Sequence, residues 1–169
     1  MHAAIRLLLA SAFCLGLSAC FTSPDPLVGA ADAVFPFERL VFREQSLPDD
    51  RQTMTREGDA YTYRTDESEE RAALVRFREV GANLYVAQME VTEGGKVERL
   101  YAFLRADLAA RRVDSYAAVK PDDFVAQPGL SICDTSVCIE DLDAYVAYGK
   151  ALIDSGRPPD VQYVIIEME

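Results

Sequence analysis

The sequence predicts an α+β domain that is mainly β: an antiparallel meander, as a curved sheet or small barrel, with one C-terminal helix packed on it. Three observations carry this. Aromatic and β-branched residues alternate with a period of two in successive segments from Phe37 to Val119. Turn signals recur between them: Asp66 to Glu70, Gly81-Ala82-Asn83 and Glu93-Gly94-Gly95-Lys96. Near the end the period changes from two to that of a helix. The 169 residues, 50% hydrophobic and 27% charged, suit one foldable domain rather than two or a disordered tail.

The elements follow in order. Phe37 to Glu44 is apolar with charged interruptions, and Ala60 to Arg64 puts Tyr61 and Tyr63 on one face. Ala73 to Val80 opposes Val75 and Phe77 to Arg76 and Arg78. Asn83 to Val91 sets Tyr85, Ala87, Met89 and Val91 against Leu84, Val86 and Gln88. Val97 to Arg105 sets Tyr101 and Phe103 against Leu100, Ala102 and Leu104. Arg111 to Val119 and Val161 to Met168 are further strands. The helix is read from Ile139, Leu142, Tyr145, Val146, Gly149, Leu152 and Ile153, with Glu140, Asp141 and Asp143 favouring its N-terminal dipole. Gly156 and Pro158-Pro159 stop it.

The N-terminus reads as an address. One positive charge at Arg6 precedes an apolar run, Leu7 to Leu17, too short for a membrane-spanning helix. It ends in Leu17-Ser18-Ala19-Cys20, which resembles the lipobox of bacterial lipoproteins. The resemblance covers residues 1–20. It implies a signal peptide over 1–19, diacylglycerol on the Cys20 sulfur and acylation of the new amino group, palmitate being the expected kind of chain. Several acyl chains, at about 0.8 kcal/mol per buried CH₂, anchor stably where one does not. Phe21, in place of the Asp that retains lipoproteins in the inner membrane of some bacteria, points to the outer membrane on its periplasmic side. The outer leaflet of the inner membrane is the alternative. Residues 20–35, with Pro24, Pro26 and Gly29, read as a lipidated tether and 36–169 as the β-rich domain.

Processing sharpens what the chain can do. Removing Arg6 leaves sixteen bases against 28 acids, a formal charge of −12, which argues against nucleic acid. The single histidine, His2, leaves with the signal peptide. No His-based nucleophile pair or general base then remains, and no zinc ligand set or phosphate loop is present. The expectation is a non-enzyme without cofactor or metal.

Two features of the mature chain stand out as sites. Cys133 and Cys138, with four residues between them and an oxidising compartment expected, should form a structural disulfide worth about 2 kcal/mol by loop entropy. Tyr61, Tyr63, Tyr85 and Tyr101 offer apolar area with a polar tip, and are the candidate ligand or partner face. The acidic run Asp66-Glu67-Ser68-Glu69-Glu70 and the pairs Asp49-Asp50 and Asp122-Asp123 read as solvated turns. The expected function is a binding or accessory module meeting an envelope protein, with two alternatives: an inhibitor of a periplasmic or invading enzyme, or a small apolar-ligand carrier.

Overall fold

Alternating segments can satisfy their backbone only by pairing, and here they pair until the sheet closes on itself. In a computed structural model the described residues are 19–65, 73–119 and 124–169. Most of the expected signal peptide (1–18 of 1–19), the acidic run 66–70 and Asp122-Asp123 lie outside them.

Eight strands form the barrel: β2 (Arg39–Glu44), β3 (Arg51–Glu57), β4 (Ala60–Thr65), β5 (Ala73–Gly81), β6 (Leu84–Glu93), β7 (Lys96–Asp107), β8 (Arg112–Tyr116) and β12 (Val161–Met168). Their order is β7-β6-β5-β4-β3-β2-β12-β8, and β8 pairs back onto β7. All these pairings are antiparallel. The expected mainly β meander is therefore a closed eight-stranded barrel, which removes the exposed edges an open sheet would carry.

A small annex lies on the outside. It comprises β1 (Ala19–Thr22), β9 (Ala118–Val119) and the hairpin of β10 (Leu130–Cys133) and β11 (Ser136–Ile139). Strand β1 runs antiparallel to β7 and β9 and parallel to β11. The helix α1 (Leu142–Asp154) follows the hairpin. Asp141 caps it by accepting from the Ala144 N–H at 2.7 Å, and Gly156 leaves it with a φ of 82°. Its buried residues Tyr145, Gly149 and Ile153 recur every four positions, so one stripe faces the barrel.

Two apolar cores result, one on each side of the same wall. Inside the barrel are Phe35, Leu40, Phe42, Tyr61, Val75, Phe77, Tyr85, Met89, Leu104, Tyr163 and Ile165, among others. Outside, between β6–β7 and α1, are Phe21, Val28, Leu84, Val86, Tyr101, Phe103, Leu130, Val137 and Tyr145, among others. This is why β6 and β7 are apolar on both faces.

Cys133 and Cys138 are disulfide-bonded, with Cα atoms 5.7 Å apart. The bond clasps the tip of the β10–β11 hairpin. No described helix is long and apolar enough to cross a membrane.

Candidate functional site

The four strand tyrosines do not share a face. Tyr61, Tyr63 and Tyr85 point into the barrel, and Tyr101 lies on the outer wall beneath the annex. The parity of β7 decides this: Leu100 and Leu104 take the inner positions, which leaves Tyr101 and Phe103 outside.

The inner set surrounds a lumen that side chains nearly fill. Phe35 stacks on Phe77 at 4.2 Å between ring centroids and meets Tyr61 and Tyr85 edge-on. The Tyr61 hydroxyl donates to the Phe37 carbonyl at 2.6 Å, with the Phe35 carbonyl at 3.2 Å. This holds Phe35 and Phe37 as a plug where β2 begins. What remains is a cavity of about 40 Å³, lined by apolar side chains such as Leu40, Met54, Met89 and Leu104 together with Tyr63, Tyr163 and Gln52. Burial raises the Tyr63 and Tyr163 hydroxyls well above the usual tyrosine value, so both stay neutral. An apolar space of that size holds no molecule of lipid dimensions without displacing side chains.

The richer chemistry lies outside, where the N-terminal stretch meets the barrel. Gln88 is wholly buried on β6. Its Oε1 accepts from the Leu27 N–H at 2.8 Å, the Val28 N–H at 2.9 Å and the Tyr101 hydroxyl at 2.9 Å. Its Nε2 donates to Glu90 at 2.9 Å, and Glu90 also takes Arg76 Nη1 at 2.9 Å. Arg76 bridges onward to Asp59 at 3.0 Å. The guanidinium of Arg99 donates to the Pro24 carbonyl. Burial pushes the Tyr101 hydroxyl up to about 12, so it keeps its proton in neutral solution. A carboxamide can answer two backbone N–H groups and still donate, which no apolar residue at this place could do.

The stretch expected to be a tether is thus packed onto the domain. Phe21 and Val28 are buried against α1 and the outer wall, while Phe35 enters the lumen. Three apolar anchors and the Gln88 amide outweigh the loop character that Pro24, Pro26 and Gly29 suggest. Gln88 was the missed residue. Its signal was an amide sharing a strand face with Leu84 and Val86.

Cys20 lies on β1 with Ala118 as its backbone partner, and Phe21 and Thr22 pair with Val137 and Cys138. Cys20 and the disulfide hairpin are therefore neighbours across paired strands. Among the described residues no cluster of His, Cys, Asp and Glu is suited to a metal ion.

Arg99 Nε and one tyrosine hydroxyl in this region are buried without a hydrogen-bond partner. The Tyr145 hydroxyl, packed among Phe21, Phe103 and Tyr101, has no hydrogen bond. An unsatisfied buried hydroxyl costs on the order of 1–3 kcal/mol. Tyr145→Phe should therefore stabilise the protein by about 1 kcal/mol, seen as a higher urea midpoint at unchanged slope.

No family model, curated protein or solved structure matches this chain. The site must be read from its own residues.

Proposed function

We propose that the chain is a lipid-anchored cell-envelope lipoprotein acting as a non-enzymatic binding or accessory module that faces the periplasm. The observation that carries it is the tetrad Leu17-Ser18-Ala19-Cys20 directly after the apolar run Leu7 to Leu17. Lipid on Cys20 supplies the membrane attachment, and Phe21 favours the outer membrane. The nearly filled lumen favours recognition by the outside of the barrel over a cargo held within. The wall made by β12, β2 and β3 carries mixed charges there, Arg39, Arg51 and Glu167 among them, in exposed ion pairs. An envelope protein is the partner this wall suits.

Cys20→Ala should move the protein from the membrane fraction to the soluble fraction, and the N-terminal peptide should lose the mass of its acyl chains. Retention in the membrane would overturn the anchor. Cross-linking in intact envelopes, followed by recovery of the acylated protein, should yield a protein adduct mapping to β12, β2 or β3.

The apolar lining of the 40 Å³ cavity favours a second reading, a carrier of a small apolar molecule. Native mass spectrometry separates the two. A co-purifying apolar ligand released on unfolding would favour the carrier.

A further inference from the structure

A lipoprotein on a flexible linker samples many orientations, and a fifteen-residue coil would spread over roughly 20 Å. Here the fold begins at once. Cys20 is paired with Ala118 on β9. Phe21, the next residue, is paired with Tyr101 on one side and Val137 on the other. Its ring packs on Tyr145 and Tyr148, with centroids 4.9 and 5.7 Å away. A few residues on, the backbone N–H groups of Leu27 and Val28 are held by Gln88. No free spacer separates the lipid-acceptor residue from the domain.

The register then says what lies beside the lipid. Strand β1 is parallel to β11 with Phe21 opposite Val137, so Ser136 falls level with Cys20. On the other side the level residue is Ala118. Neighbouring strands are about 4.8 Å apart. The turn of the β10–β11 hairpin, Asp134-Thr135, is exposed and adjoins Ser136, and the Cys133–Cys138 bond closes it into a small ring. On β10, Ile132 leaves half of its apolar surface exposed at 50%. Strand β3 lies four strands from β7 in either direction around the barrel, and so on the far wall.

We propose that the domain rests directly on the bilayer in one orientation, with β9 and the disulfide-closed tip of the β10–β11 hairpin against the phospholipid headgroups and the β3 wall turned away. This rests on acylation of Cys20, as proposed above. Glycerol bonded to the Cys20 sulfur sits at headgroup depth, and the paired backbone carries that depth to Ser136 and the hairpin tip. The Gln88 clamp keeps the following residues from peeling off to become a tether. The disulfide is then the stiffener of a membrane-facing corner as well as a link in the chain.

The chain has no tryptophan, so one introduced indole reports alone. The acylated full-length mature protein is reconstituted in phosphatidylethanolamine–phosphatidylglycerol vesicles containing a lipid with a nitroxide headgroup. Thr135→Trp, at the hairpin tip, should be quenched several-fold more than Thr55→Trp, on the exposed face of β3. Ile132→Trp repeats the tip measurement if Thr135→Trp fails to fold. Equal quenching at tip and far wall, or quenching at neither, overturns the fixed orientation. The mass of the N-terminal peptide from the same sample separates the two readings. An acylated Cys20 with equal quenching removes only the orientation, whereas an unacylated Cys20 removes the anchor and the orientation together.

Discussion

Gly149→Ala should destabilise the protein by at least about 3 kcal/mol, at the upper end of what overpacking a core costs. On an exposed helix surface the same change stabilises by up to about 1 kcal/mol, because alanine is the better helix former. The sign reverses here because of one neighbour. A β-carbon on Gly149 would sit 2.0 Å from Cε2 and 2.1 Å from Cζ of Phe103. That ring is fully buried on β7 and lies 4.5 Å from the Tyr145 ring, so it has little room to retreat. Either the ring leaves its place or α1 lifts off the barrel wall. Chemical denaturation should show a lower midpoint. The double variant Gly149→Ala/Phe103→Leu should recover part of the loss, giving a coupling energy that two independent sites would not show. A midpoint unchanged in Gly149→Ala would mean that α1 does not pack as closely as described.

Gln88→Leu should cost about 3 kcal/mol and should free the N-terminal stretch before the barrel melts. The replacement is close in volume, so the loss is in hydrogen bonding. The Val28 N–H loses its acceptor at 2.9 Å, and the Leu27 N–H keeps only the Tyr101 hydroxyl at 3.1 Å. Glu90 loses one of its donors, although Arg76 remains on it. Each buried backbone donor left without a partner costs on the order of 1–3 kcal/mol. The decisive measurement is local. Amide exchange at Leu27 and Val28 should rise by far more than at β6 and β7 positions inside the barrel. Uniform acceleration across the chain would show that the network supports the barrel as a whole rather than clamping one segment. On membranes the same variant should weaken the difference between hairpin tip and far wall, because the stretch after Cys20 would then act as a true linker.

Much of the architecture was legible because the barrel strands carry their periodicity openly. In β6 the split of Tyr85, Ala87 and Met89 from Leu84, Val86 and Gln88 is the split between the two cores. The helix was legible for the same reason, and its cap at Asp141 falls within the acidic start read from the sequence. Strand β3 was not legible. Only Gln52 and Met54 are buried along Arg51–Glu57, so its apolar signal is a single methionine. Strand β1 and the β10–β11 hairpin were missed because four-residue strands are too short to show a period. What stabilises them is their neighbours, Tyr101 beside Phe21 and Val137 on its other side.

The candidate site divides along the same line. The Cys133–Cys138 pair could be named locally, since a short cysteine spacing is written in neighbouring residues. The tyrosine face could not be judged that way. Alternation says that Tyr85 and Leu84 point in opposite directions, but when both faces of a strand are apolar it does not say which is inside. Closure decides it: pairing of β8 with β7 makes one face a lumen, and α1 with the annex covers the other.

By itself, then, the sequence determined the strand-rich class, the late helix, the disulfide and the acidic balance, all properties of composition or of neighbours along the chain. Only the tertiary structure decided that the barrel closes, that its lumen is nearly full, and that residues 21–28 are clamped to its outer wall. Those outcomes depend on contacts between residues far apart in sequence. Gln88 meeting Leu27, Phe21 meeting Val137 and Gly149 meeting Phe103 leave no period or motif by which the chain alone announces them.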